Sequence, residues 1–169
     1  MNKLKLIKKC LPLLLILCLI WAAGCEQSAP SLTAKEFVDH YKSSAPSLGF
    51  DQDITLIEEE ESFGFLAFDG IFTVCCTADG NDVIEFVTIS TTSDFAQTIE
   101  DEGDFNQALI WAAYLALPFY LDAHEYDSDD ISTLAGILLA SFDGQISLER
   151  GICSSKRLEK GFEITIICP

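Results

Sequence analysis

The side chains able to do chemistry are few: seven cysteines, two histidines and a large excess of carboxylates. Cys75 and Cys76 are adjacent, and Cys153 and Cys168 flank the last hairpin of the chain. A thiol attacks as thiolate, so a reactive cysteine needs a neighbouring base or cation, and a redox pair usually reads Cys-x-x-Cys. Neither pair has such a setting in the sequence. Thiol chemistry at Cys75/Cys76 or Cys153/Cys168 is nevertheless the enzymatic reading with most residue support. Ser-His-Asp chemistry would have to use His40 or His124, and no Gly-x-Ser-x-Gly surrounds a serine. His124 stands among Asp122, Glu125 and Asp127, but zinc ligands sit on defined elements at fixed spacing, and these crowd one acidic loop. The run Glu58 to Glu61 lacks the shaped loop that supplies six to eight oxygens to Ca²⁺. No metal, cofactor or complete catalytic set is implied, which leaves a binding or interaction module as the first reading and a thiol enzyme as the alternative.

A different cysteine organises the chain. Lys3, Lys5, Lys8 and Lys9 precede an apolar run from Cys10 to Ile20, and small residues follow it. A basic start, a short apolar core and small residues make an export signal. A membrane span needs about 20 apolar residues, more than this run provides, and Pro12 interrupts it. The end of the signal, Ala22-Ala23-Gly24-Cys25, resembles the lipobox of bacterial lipoproteins, with Ala22 where that family more often has Leu. The resemblance implies that residues 1–24 are removed and that Cys25 is acylated and becomes the first residue. Taken with Leu32-Thr-Ala-Lys-Glu-Phe37 and the acidic sequence beyond, the chain is similar to the small lipoproteins of Gram-positive bacteria. That implies a protein held by lipid on the outer face of the cytoplasmic membrane. A buried acyl chain contributes about 0.8 kcal/mol per CH₂, and two or three chains anchor stably.

Four of the ten basic residues precede Cys25 and none of the 27 acids does, so the chain from Cys25 onward carries a net charge of about −21. That charge repels the phosphates of nucleic acid and the headgroups of anionic lipid. The membrane contact is therefore expected through the N-terminal lipid, with no nucleic-acid partner. Residues 25–32 read as a tether and residues 33–169 as one domain, whose protein or small-molecule partner the sequence leaves open.

The expected fold is α+β: a four-stranded antiparallel meander plus a C-terminal hairpin, packed on two or three helices. Thr33 and Glu36 have capping-box spacing and Leu32 and Phe37 staple spacing, predicting a helix over Ala34 to Ser43 that buries Phe37 and Tyr41. His40 falls off that face and reads as a solvated histidine. Strands are predicted at Ile54 to Ile57, around Phe63 to Ala67, at Ile71 to Thr77 and at Val83 to Ser90. Glu58 to Glu61 reads as a charged turn, and Asp69-Gly70 as a two-residue hairpin turn. Vicinal Cys75 and Cys76 point to opposite faces, Cys76 inward. A loop over Thr91 to Gly103, with a short turn of helix, leads to Phe105 to Leu121. That stretch is apolar nearly all round and predicts a central buried helix, capped by Asp104 and kinked or ended by Pro118. A second membrane span is the alternative. Trp111 is expected in the core. A further helix opens at Asp127 or Ser128 with Ile131, Leu134, Ala135 and Leu138 on one face and closes near Gly144. Ile146 and Leu148, then Phe162, Ile164, Ile166 and Cys168, alternate as strands.

Arg150, Lys156, Arg157 and Lys160 gather most of the positive charge that follows the signal, as a candidate contact patch or as internal charge balance. Whether Cys153 meets Cys168 depends on hairpin register. A two-residue turn at Lys160-Gly161 sets them opposite each other. A three-residue loop over Glu159 to Gly161 sets Cys153 against Ile167 and puts Gly161 at a left-handed position. The second register is preferred here, and with it free thiols.

Overall fold

The computed structural model describes residues 31–54, 56–59, 62–121 and 126–169, with the backbone but not the side chains at 57–59. Residues 1–30, with the expected signal, Cys25 and most of the expected tether, lie outside the described residues, as do Asp122, His124 and Glu125. Helix α1 spans Ala34–Ser44 and opens with the expected box: the Thr33 side chain accepts from the Glu36 N–H, and Glu36 accepts from the Thr33 N–H. Leu32, counted with the tether from sequence, is 7% exposed and belongs to the core. A 3-10 turn, Ala45–Leu48, follows and stops at Gly49, where φ is +84°.

Strands β1 (Ile57–Glu59), β2 (Ser62–Ala67), β3 (Phe72–Ala78) and β4 (Ile84–Thr91) form the expected antiparallel meander. The first strand is displaced from its expected place, because Glu58 and Glu59 pair with Phe63 and Ser62 instead of turning. The β2–β3 turn is also longer than Asp69-Gly70. Ala67 pairs with Phe72, and Phe68, Asp69 and Gly70 all have positive φ. A bulky residue at positive φ is rare. Here the Phe68 ring is fully buried against Tyr41, Phe50 and Phe72, and its N–H donates to the Tyr41 hydroxyl at 2.9 Å.

After a short helix α2 (Ser93–Ala96), helix α3 spans Glu102–Tyr120 and helix α4 spans Ser128–Ala140. The cap of α3 is Asp101, not Asp104: its carboxylate accepts from the N–H groups of Gly103 and Asp104. Pro118 lies inside α3, which ends two residues later. Among the described residues no helix is long and apolar enough to cross a membrane; α3 is the central core helix. Its Phe105 and Phe119 rings meet Phe162 of the sheet and Phe37 of α1. Trp111 is half-buried at the margin of the core, edge-on to Phe50 and tilted against Phe95. Helix α4 buries Ile131, Leu134, Ala135 and Leu138 as its spacing predicts, and Asp127 caps it. The left-handed residue after it is Asp143, not Gly144.

The C-terminal part is three strands, not a hairpin: β5 (Gln145–Leu148), β6 (Gly151–Arg157) and β7 (Phe162–Ile167). Strand β7 pairs antiparallel with β4 and completes one seven-stranded sheet, ordered β1-β2-β3-β4-β7-β6-β5. Its inner face meets the helices through fully buried rings, among them Phe65, Phe72 and Phe162.

Candidate interaction surface

The four cysteines of the described domain are free. The hairpin register is neither of the two expected. Arg157 pairs with Phe162 across a four-residue loop, Leu158 to Gly161, so Cys153 faces Ile166. By alternation Cys153 and Cys168 then share a face but stand diagonally and not directly opposite, and diagonal neighbours, typically about 7–8 Å apart, exceed the roughly 4.4–6.8 Å between the α-carbons of a disulfide. Gly161 is left-handed as expected, with φ +86°. Burial pushes the Cys153 and Cys168 thiols up to about 11, and the Cys76 thiol higher still. These three are protonated at neutral pH, the opposite of what a nucleophile needs. Cys75 is exposed on the other face, with Gly64 and Thr88 as its ladder neighbours and no base among them.

His40 is not solvated. Its Nε2 lies 2.8 Å from the Tyr114 carbonyl and its ring stands edge-on to Tyr126 at 5.4 Å. A carbonyl only accepts, so Nε2 carries the proton. Pro118 explains the bond: lacking an N–H, it leaves the carbonyl four residues earlier in α3 without its helical donor, and His40 supplies one. Desolvation lowers the His40 pKa, against a smaller opposing effect of the Tyr114 bond, which favours the neutral ring at pH 7. The ring borders a cleft of about 330 Å³ with Ser43, Ser47, Tyr126 and Asp127. Sequence reasoning missed this role, because it depends on a proline 78 positions further along the chain.

The four basic residues do not form one patch. Arg150 donates from Nη1 to the Pro118 carbonyl at 3.0 Å, and its N–H donates to the Phe119 carbonyl. It thus completes the C-terminal end of α3, which has no basic residue of its own in the last turn. The Arg157 guanidinium lies 4.4 Å from the centre of the Phe105 ring. Arg157 and Lys160 line a cleft of about 240 Å³ together with Glu100, Asp101, Glu102 and Glu159, a mixture of charge signs. Lys156 is on the opposite face of β6, directly across from Glu163 in the ladder. Their separate placements fit internal charge balance better than a shared contact patch. Among the described residues no group of three or more His, Cys, Asp or Glu converges as a metal site.

What the sequence did not single out is the outer face of the sheet. Side chains alternate across a strand, so the face turned away from the helices carries Thr73, Cys75 and Thr77 on β3 and Thr88 and Ser90 on β4. In adjoining strands Phe86 pairs with Ile167, and Ile167 with Ile152. These three form a contiguous apolar row across β4, β7 and β6, exposed at 38%, 52% and 49%, with Leu66 at 56% on β2. From β2 to β5 the charged residues at paired outward positions are Lys156 and Glu163, opposite each other; the exposed Glu85 stands in the bulge at one end. On a chain with 27 acidic residues, a broad face of threonine, serine and aliphatic side chains is anomalous, and contiguous exposed apolar surface marks contact sites. In comparisons with known proteins, the chain matches no family model, no curated protein and no solved structure.

Proposed function

We propose that this protein is a lipid-anchored, extracytoplasmic interaction module: Cys25 carries the lipid on the outer face of the cytoplasmic membrane, and the uncovered face of the sheet receives a protein partner. The anchor rests on the basic start, the apolar run and Ala22-Ala23-Gly24-Cys25. The interaction rests on one observation, the near-neutral outer face with its Phe86-Ile167-Ile152 row on an otherwise acidic protein. A small-molecule role is less well supported, because the seam between sheet and α3 is filled by Phe37, Phe65, Phe72, Phe119 and Phe162. The thiol-enzyme alternative is disfavoured by the raised Cys76, Cys153 and Cys168 pKa values.

Two measurements test the reading. Cys25→Ser should leave the signal uncleaved or release the protein from membranes; a variant as membrane-bound as the wild type, with the same N-terminal mass, would refute the anchor. A photo-crosslinking amino acid at position 152, compared with one at the exposed helix position 139, should give protein adducts in intact cells from the sheet only. Equal or absent adducts at both positions would refute the interaction surface.

A further inference from the structure

We infer that the partner received by the outer face is a second copy of this chain, in a two-fold, face-to-face packing of the two sheets. The inference rests on the proposed reading of that face as an interaction surface and names its occupant.

Charge selects the occupant. Each chain from Cys25 onward carries about −21, so two copies repel wherever their acidic surfaces approach. Glu36 and Asp39 on α1, Glu102 and Asp104 on α3, and Asp129 and Asp130 on α4 belong to helices on the inner side of the sheet. Packing the outer faces together turns these helices outward and places their acids on opposite sides of the pair. The surface that remains between the copies carries Lys156 and Glu163, which stand opposite each other within each copy, with Glu85 and Asp143 at its margins. A basic partner would instead be drawn to the acidic helices. The face thus repels least a partner that is itself neutral and apolar there, and a second copy meets that condition by symmetry, since a two-fold interface uses the same patch twice.

Area and shape agree. Strands stand about 4.8 Å apart and rise about 3.4 Å per residue, so β2 through β5 present roughly 24 Å by 20 Å. The two faces together offer about 1,000 Å² before side-chain relief is counted, the threshold that specific interfaces clear. Aligned sheets pack about 10 Å apart with strands within about 30° of each other. At that distance Phe86, Ile152, Ile167 and Leu66 interdigitate with their counterparts, and the exposed thiol of Cys75 lies within the covered area. Two chains anchored in one membrane are also held at high local concentration, which lowers the affinity the contact needs.

The mature lipoprotein, extracted in mild detergent, is to be compared by sedimentation velocity with Ile167→Glu, Ile152→Lys and the helix control Leu139→Glu. Wild type and Leu139→Glu should sediment with twice the chain mass. Ile167→Glu and Ile152→Lys should be monomers, dissociation constants rising at least about a hundredfold because each substitution enters a two-fold interface twice. In parallel, a photo-crosslinker at position 167 of the otherwise native chain, which does not rely on a charged variant folding, should yield an adduct of two copies of this chain. A monomeric wild type, or an undiminished dimer in both sheet variants, overturns the inference. An adduct at 167 with a different protein also overturns it but leaves the interaction reading standing. No adduct at any sheet position refutes both.

Discussion

At the scale of single residues, burial decides cost. Trp111, the most conspicuous side chain of the apolar stretch, sits at the margin against Phe50 and Phe95, whereas Phe119 is fully buried against Phe37. Phe119→Ala should therefore destabilise by about 3–5 kcal/mol and Trp111→Ala by about half of that. Urea unfolding of the two variants measures the difference, and equal losses would contradict it. His40 gives a second residue-scale expectation. Its pKa is lowered in the folded protein, chiefly by burial. The unfolded chain then binds the proton more readily, so the contribution of His40 is fully present above about pH 6.5 and is lost as pH falls through the lowered folded value. In a comparison with His40→Gln, which keeps a donor for Tyr114, the wild type should lose more stability between pH 7.5 and 5.5. His40→Phe should cost about 1–3 kcal/mol at pH 7.5 by orphaning that carbonyl. A parallel pH dependence in wild type and His40→Gln would exclude the histidine as its source.

At the scale of elements, what was legible in sequence was what is encoded locally. The capping box at Thr33 and Glu36 places α1, and the spacing of Ile131, Leu134 and Leu138 places the buried face of α4. Alternation around Val74 and Cys76 orients β3 correctly, with Cys75 outward. Two of the failures, at Phe68 and at the last hairpin, share a cause, a partner distant in the chain, whereas the first strand is set by its immediate neighbour. Glu58 and Glu59 read as a turn because carboxylates disfavour strands, yet pairing with β2 holds them extended. Phe68 tolerates a left-handed backbone because its ring belongs to the core and Tyr41 holds its N–H. The last hairpin loop has four residues, not two or three, because Thr91 on β4 clamps it. The Thr91 hydroxyl accepts from the Phe162 N–H and donates to the Phe162 carbonyl. Gly161 fits beneath this clamp: a β-carbon there would stand about 2.1 Å from the Thr91 hydroxyl oxygen. Gly161→Ala should cost at least about 1–2 kcal/mol for the left-handed backbone, with the clash added. Gly80→Ala, where the space is open and φ is not left-handed, should cost less. Similar unfolding midpoints for the two variants would contradict the clamp.

At the scale of the whole molecule, one sheet carries two unlike faces. The inner face is closed by α1, α3 and α4 and accounts for the core. The outer face keeps Leu66, Phe86, Ile152 and Ile167 in solvent, four of the seven large apolar side chains exposed among the described residues, the others being Leu56, Leu139 and Leu158. That contrast was not visible in the sequence, because the three-residue row is assembled from β4, β6 and β7 and exists only once their registers are known. The basic quartet shows the converse. Arg150, Lys156, Arg157 and Lys160 are close in sequence, and the fold sends them to a helix end, the outer face and a cleft beside Phe105.

The proposal that the protein is exported and its outer face covered is tested most directly at Cys75 itself. Intact cells carrying a Cys168→Ser background are treated with a membrane-impermeant maleimide, and labelling at Cys75 is compared with labelling at Leu139→Cys on α4. Position 139 should react readily, while Cys75 reacts slowly in cells carrying the otherwise native sheet and faster when Ile167→Glu opens the sheet face. Equal labelling of the two positions on cells would contradict a covered sheet face, and no labelling of either would contradict the extracytoplasmic location.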